Sequence, residues 1–431
     1  MITGKGIATC LLVSCSIVTT WAQEQSTKWQ SEFYGEAHAL GRYYLSSSEA
    51  ADYRWQAETR LNLEGEVSYG PRWKGEAAVL GNLNAQHTQR NRLWVNELSA
   101  AYHGKGIFLK AGKQSLRWGD LTGFSASDLA NRYDYYDVLD TERERLGLWG
   151  VETRLYKGST ELRLRAFLPD NRSRIYLEDN RWVALPSLLP NPQISDGMLP
   201  AEHRATITEF NDQIPMLGAS FSVELGRLQT RLTWQYGNND LPISEIAPLP
   251  STDLPIGYEV HLRYEPLQVA ALNIGTWLGE WNIWSEVAGV FSKRLERQEI
   301  VQDNYTFTSL GIDRFWQFEN PEQHLRLMMQ AIRVWANPDT PYLPTEIDHI
   351  FQSSLVLDTQ WQMSYRWQCK LRTVAELTAK GYYLEPQVVY QASPKFKMAL
   401  NASWLGGRNS SFFGHFKQNS RFSLLISRQL P

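Results

Sequence analysis

The sequence predicts an all-β chain: a transmembrane antiparallel β-barrel of about eighteen strands, with about sixteen as the nearest alternative. Three observations predict it. The chain of 431 residues carries 17 Trp, 20 Tyr and 16 Phe, yet its mean hydropathy is −0.40. Segments of about ten residues alternate apolar and charged side chains, the period of a strand with lipid on one side and water on the other. Connections alternate between tight turns and long polar links, as an up-and-down barrel requires.

The amino terminus sets the compartment. "MITGKGIATCLLVSCSIVTTWA" has a short basic region with Lys5, an apolar run from Gly6 to Val18, and a small-x-small end at Thr20-Trp21-Ala22. Residues 1–22 therefore read as a cleaved secretory signal, and 23–431 as the barrel. An uncleaved anchor is disfavoured because the run is short for a span. A lipobox-like reading of Leu12-Val13-Ser14-Cys15 is disfavoured because cleavage there leaves an apolar end. Cys369 is the one cysteine beyond the signal, so no intrachain disulfide framework is expected. No later run of about eighteen apolar residues exists, so no helix is expected to cross a membrane. Export without such a helix points to the outer membrane of a Gram-negative bacterium. Outer-membrane lipid and the barrel-assembly machinery are the implied partners.

Each strand is justified by its alternation. In Arg54–Tyr69, Trp55, Ala57, Thr59, Leu61, Leu63, Gly65, Val67 and Tyr69 form one face, and Gln56, Glu58, Arg60, Asn62, Glu64 and Glu66 lie on the other. No soluble core needs so charged a second face. In "ELRLRAFL", Leu162, Leu164, Ala166 and Leu168 oppose Glu161, Arg163, Arg165 and Phe167. In "WQCKLRTVAELTAK", Trp367, Cys369, Leu371, Ala375 and Leu377 oppose Gln368, Lys370, Arg372, Glu376 and Lys380. In "FKMALNASWL", Phe396, Met398, Leu400, Ala402 and Trp404 oppose Lys397, Ala399, Asn401 and Ser403. The last strand shows Phe422, Leu424 and Ile426 on its apolar face, and the chain ends in Pro431 where such barrels commonly end in an aromatic ring. The expected wall of the lumen thus carries both signs: Glu58, Glu64 and Glu66 with Arg60, Arg163, Arg165, Arg231, Arg263, Lys370 and Arg372.

Tight turns fall at Gly70-Pro71, His103–Gly106, Lys157-Gly158, Gly226-Arg227, Leu278–Glu280, Asn320-Pro321, Ser364 and Ser393-Pro394. Longer links are read at 46–52, 85–91, 120–144, 169–213, 238–256, 293–304, 337–348, Gly381-Tyr382 and 406–416. The count takes 257–278 as one strand despite Pro266. Both termini then share the periplasmic side. The link 169–213 is the expected large extracellular loop, because "RWVALPSLLPNPQISDGMLP" is too apolar for free solution and too Pro-rich for a strand.

The segment 117–144 departs from the pattern. It mixes Trp118, Phe124, Tyr133, Tyr135 and Tyr136 with Asp120, Asp128, Asn131, Arg132, Asp134, Asp137, Arg143 and, just beyond it, Arg145. "SASDLANRY" predicts a short helical turn with Ser125 or Ser127 at its cap. So ring-rich a loop is expected to fold into the barrel and constrict it, with Arg132, Arg143 and Arg145 pairing Asp128, Asp134 and Asp137 or the acids of the lumen. The alternative is a loop that caps the mouth.

"GKQSLRWGDLTGFSASDLANRYDYYD", "ERERLGLWGVETRLY" and "ELRLRAFLPD" carry a resemblance. The stretch resembles a family of proteobacterial outer-membrane proteins of unknown mechanism, often encoded beside RND/MMPL-type exporters. The matching positions are Gly112, Lys113, Gln114, Trp118, Gly119, Ser127, Asp128, Asn131 and Asp134, with Gly279, Trp281, Glu286 and Ala288 downstream. Arg132 stands where that family has Pro. The architecture is also similar to that of the alginate-export barrel. The resemblance implies, as an alternative, a role as partner of an RND/MMPL-type exporter, handing cargo to the outer membrane.

Other classes are disfavoured by what the chain contains. A net charge of −3 argues against nucleic acid as a partner. The eight histidines are scattered without metal-ligand spacing, and no Gly-x-Ser-x-Gly occurs, so no enzyme, metal or cofactor is expected. Strands begin near Glu32, which leaves no room for a receptor plug domain. The reading that remains is a porin-like channel for a polar or amphiphilic solute: a sugar, a polysaccharide or a lipid-like molecule.

Overall fold

Alternation of period two becomes a closed wall. The computed structural model describes residues 29–47, 53–116, 118, 123–128, 132–139, 145–169, 173–174, 176, 180–182, 206–211, 214–239, 242–248, 258–296, 299–336 and 352–430. The first half of the barrel is β1 (Trp29–Tyr44), β2 (Trp55–Tyr69), β3 (Trp73–Asn84), β4 (Arg92–Gly104), β5 (Ile107–Gln114), β6 (Leu148–Lys157) and β7 (Thr160–Phe167). Next in the chain comes β8 (Thr206–Asn211), outside the barrel, then the wall strands β9 (Met216–Leu225) and β10 (Leu228–Asn238). Two more strands outside the barrel, β11 (Ile243–Pro248) and β12 (Tyr258–Tyr264), precede β13 (Pro266–Leu278) and β14 (Trp281–Glu296). The wall continues through β15 (Glu299–Gln317), β16 (His324–Trp335), β17 (Ser353–Gln362), β18 (Trp367–Glu376), β19 (Gly381–Ser393), β20 (Phe396–Gly407) and β21 (Arg421–Leu430).

Eighteen of these strands form one sheet, each antiparallel to its neighbours in the chain. It closes where β1 meets β21, from Gly35 opposite Leu430 to Tyr44 opposite Arg421. Closure matters because an open edge would leave unpaired N–H and C=O groups in hydrocarbon, where nothing else can satisfy them. The outer face is apolar, with Leu93, Leu232, Leu272, Leu310, Leu355 and Leu400 among its exposed side chains. Rings gather at both rims. Near the turns Trp29 meets Tyr69 at 4.8 Å, Trp73 meets Tyr102 at 4.9 Å, and Trp367 meets Tyr390 at 4.7 Å. Near the loops Tyr43 meets Trp55 at 4.9 Å and Trp404 meets Phe422 at 6.2 Å. Two such girdles are what the two membrane–water interfaces select.

All eight expected tight turns join wall strands, and Gly158 and Gly226 take left-handed φ values of 60° and 65° there. Three expected details are corrected. The 257–278 strand is broken: Pro266 has no N–H to donate and stands at the first position of β13. The part before it, β12, leaves the wall to pair antiparallel with β11 and parallel with β8 in a small separate sheet. The strand count survives because both pieces run on without reversing into the wall. The 293–304 link is instead a continued hairpin, with β14 and β15 paired from Trp281–Arg314 to Glu296–Glu299. Gly381 and Tyr382 belong to β19, and the short link is Leu377–Lys380, where Lys380 takes φ 61°.

Candidate functional site

After β5 the chain turns inward. Gln235, Glu286 and Gln330 alternate with exposed neighbours on β10, β14 and β16, so all three face the interior. They hold residues 124–127. Glu286 accepts four hydrogen bonds: from Ser125 Oγ at 3.0 Å, Ala126 N at 3.1 Å, Ser127 N at 3.2 Å and Ser127 Oγ at 2.7 Å. Gln235 Nε2 donates to the Ser127 carbonyl at 2.6 Å. The Gln330 amide accepts from Phe124 N at 3.0 Å and donates to its carbonyl at 2.7 Å. The one-turn 3-10 helix Ala126–Asp128 begins here, with Ser125 Oγ accepting from Ser127 N, as the capping pattern predicts.

Close approach explains two glycines. Gly123 lies at φ 95°, and a Cβ there would sit 2.4 Å from Gln330 Oε1. At Gly218 a Cβ would sit 2.2 Å from the ring of Trp118, which the Arg165 guanidinium covers at 4.5 Å. Trp118 N donates to Asp128 Oδ1 at 3.0 Å, tying the segment's entry to its helical turn.

The second half of the segment begins at the end of β10 and then reaches β4 and the seam strands β1 and β21. Arg132 Nη2 donates to the Asn238 carbonyl at 2.7 Å. Asp134 pairs with Arg92 on β4, accepts from Tyr176 at 3.3 Å, and lies 4.0 Å from Arg90. Asp137 bridges the barrel seam, 3.2 Å from Arg42 on β1 and 2.7 Å from Arg421 on β21. Burial pushes the Asp137 carboxyl up, but Arg421 and Arg42 outweigh this and hold it below the ordinary carboxylate range. Tyr136 accepts from Gln56 Nε2 at 2.9 Å and shares a 3.1 Å contact with Tyr53, whose phenol burial pushes up to about 12. Tyr133 forms an isolated bridge with Arg145, and Asp134 one with Arg174, so the segment also joins the start of the 169–213 link.

The expected arginine partners are met in part. Arg145 does approach Asp128, at 3.8 Å. Asp134 and Asp137 instead take arginines from the wall and the adjoining link, because those side chains were already fixed by the barrel and face inward. Asp120, Asn131 and Arg143 lie outside the described residues.

Among the expected lumen residues, Glu58 is the most enclosed, with Arg60 at 2.6 Å, Arg90 at 2.7 Å and Arg42 at 3.3 Å. Glu64 accepts from Tyr34 and from Asn62, and Glu66 pairs with Lys74 at 2.9 Å. Arg163 pairs with Glu161 at 2.7 Å and Arg165 with Glu152 at 2.5 Å. Arg231 faces inward on β10, and Arg372 meets Asp358 at 2.7 Å. Arg263 is a correction: it lies on β12 in the separate sheet, not on the barrel wall.

Among the described residues, one chamber borders the segment and another lies beside the residues that hold it. The first, about 520 Å³, is bounded by strands on either side of the seam and by Asp137 and Leu139. The second, about 470 Å³, lies between β4, the 173–176 stretch and the separate sheet, around Trp94 and Tyr176. In it the Trp94 ring carries Arg92 at 4.6 Å and Arg174 at 4.8 Å. Sequence reading missed Arg42, Arg90, Arg92 and Arg421 as partners, and it quoted Glu286 without a role. Pair register would have been needed to bring them to the segment.

A closed, outwardly apolar, twice-girdled barrel of eighteen antiparallel strands defines an outer-membrane β-barrel protein of the Gram-negative type. Neither a protein-family model nor a curated protein matches the sequence. Solved structures do resemble it in fold. A BenF-like porin from Pseudomonas fluorescens Pf-5 is similar at TM-score 0.52 and 11% identity, over 94% of this chain and 98% of that one. Pseudomonas aeruginosa OccK2 (OpdF), solved in complex with glucuronate, is similar at TM-score 0.50 and 11% identity, over 95% and 99%. Pseudomonas aeruginosa OccD3 (OpdP) is similar at TM-score 0.50 and 9% identity, over 94% of each.

Proposed function

We propose that this protein is an outer-membrane channel for small polar solutes, with its aperture set by the segment between β5 and β6. The observation that carries the reading is the two-sided anchorage of that segment. One end is held by Glu286 and Gln330, the other by Arg42 and Arg421 at the seam. A chain pinned at both sides of a wetted lumen narrows it and presents fixed charges to what passes. The paired charges around Glu58, Asp134 and Asp137 suit polar cargo, since an apolar solute would have to displace ordered water from them.

The exporter-partner reading would need a periplasmic docking surface. The eight turns at that end are short among the described residues, which favours the channel. The test is deletion of residues 121–136. Single-channel conductance in planar bilayers is expected to rise severalfold, with the barrel still folded. Unchanged conductance in a folded deletion variant would remove the aperture role.

A further inference from the structure

The seam-side chamber holds charges that the inward segment does not use. Its acids are already engaged: Asp137 with Arg42 and Arg421, Asp358 with Arg372 at 2.7 Å, and Glu385 with the hydroxyls of Tyr383 at 2.5 Å and Ser403 at 2.8 Å. Lys370 and Lys397 also line this chamber, and neither side chain has an ion pair or hydrogen bond among the described residues. Lining positions thus comprise six cations (Arg42, Arg60, Lys370, Arg372, Lys397, Arg421) against three carboxylates (Asp137, Asp358, Glu385).

Register gives the surplus a shape. Gln360 stands opposite Lys370, Lys370 opposite Gln387, and Gln387 opposite Asn401. These four inward side chains therefore form a level row across β17, β18, β19 and β20, spaced by ~4.8 Å per strand. The row is an ammonium flanked by amides, which offer both donors and acceptors. Gln387 Nε2 already donates to Asn401 Oδ1 at 2.9 Å, and Gln360 Nε2 to Asp358 Oδ1 at 3.3 Å, which steadies the row at both ends and leaves the two amide oxygens of Gln360 and Gln387 to accept. Lys397, nearer the turns on β20, keeps the approach from that end positive.

We propose that this row is a binding ledge for a hydroxylated carboxylate, a sugar acid. Lys370 takes the carboxylate, and the flanking amides of Gln360 and Gln387 take hydroxyls on the same molecule. An ammonium alone would hold any small anion, and amides alone any sugar; their alternation selects a molecule carrying both groups. The ledge refines the channel reading and rests on it, since its solute must reach the chamber through the pore.

The test is calorimetric titration of the whole protein in detergent micelles with galacturonate and with galactose, alongside current recordings in planar bilayers. Galacturonate is expected to bind at least about tenfold more tightly than galactose, the scale of one charge-assisted hydrogen bond. Lys370→Gln should bring the acid down to the level of the neutral sugar, while Lys370→Arg retains the preference. Heat-modifiable migration checks that each variant is folded. Equal affinity for the two sugars, an unchanged Lys370→Gln variant, or displacement of galacturonate by sulfate at equal concentration would overturn the ledge. A conducting pore without galacturonate binding sinks the ledge alone; binding without conductance sinks the channel reading instead.

Discussion

At the scale of single residues, Glu286 is where an acidic side chain on a barrel strand becomes a mooring. It is fully buried, and its charge is met by four donors from one short stretch of chain rather than by a cation. Replacing it with Ala leaves those donors unmet in a dry site, at a cost of ~1–3 kcal/mol for each one that finds no water. Glu286→Ala is therefore expected to keep a folded barrel while conductance rises and its noise broadens. A quiet channel of unchanged conductance would show that the other anchors suffice. Asp137 makes a different case, because two buried arginines depend on it. Asp137→Asn strands Arg421 without its acid, a change worth ~3–5 kcal/mol for a buried pair. Its folded pKa lies below the unfolded value of ~3.9, so its stabilising contribution is complete above that pH and disappears as pH falls through the folded value. Conductance should stay level from pH 7 to about pH 4 and climb only in stronger acid; a climb between pH 7 and pH 5 would refute the clamp. Sequence alone displayed Asp137 and Glu286 but not their partners. Arg42 and Arg421 lie 379 residues apart in the chain and meet only through strand register at the seam.

At the scale of elements, alternation made the strands legible, and glycine-bearing turns made their ends legible. What escaped was decided by pairing. β14 and β15 continue to pair through Lys293–Gln302 and Arg294–Val301, although those polar residues look like loop when taken alone. The hairpin persists because each backbone donor finds a cross-strand acceptor, and no lipid-facing pattern is needed once the strands have left the membrane. Trimming residues 294–303 to a two-residue turn should therefore leave the barrel's heat-modifiable migration unchanged. Loss of the compact band would show that the projecting hairpin supports the wall. Pro266 was noticed in the sequence, and its meaning depended on a partner that lies far away. β12 could leave the wall at Glu265 because β8, from the long link after β7, supplies it with a parallel neighbour. Arg263 went with it, out of the expected lumen.

At the scale of the whole molecule, fold class and strand number followed from the amino-acid pattern because lipid and water impose it on every strand separately. The interior did not follow, because it depends on which of many inward charges the inserted segment meets. One consequence concerns the order of events in assembly. Asp137 touches the first and the last wall strands at once, so its clamp cannot exist until the chain's two ends have found each other. The clamp then acts as a bolt shot across a door after it has shut, drawn from a segment that left the wall after its fifth strand. Removing the bolt leaves Arg421 without its acid on the inward face of the seam, while Arg42 keeps Glu58, and slows or reverses the last step. Asp137→Ala is thus expected to refold from urea into liposomes with a normal early gain of strand signal and a delayed compact band on unheated gels. Matched kinetics for both signals would mean that the seam seals without help from within.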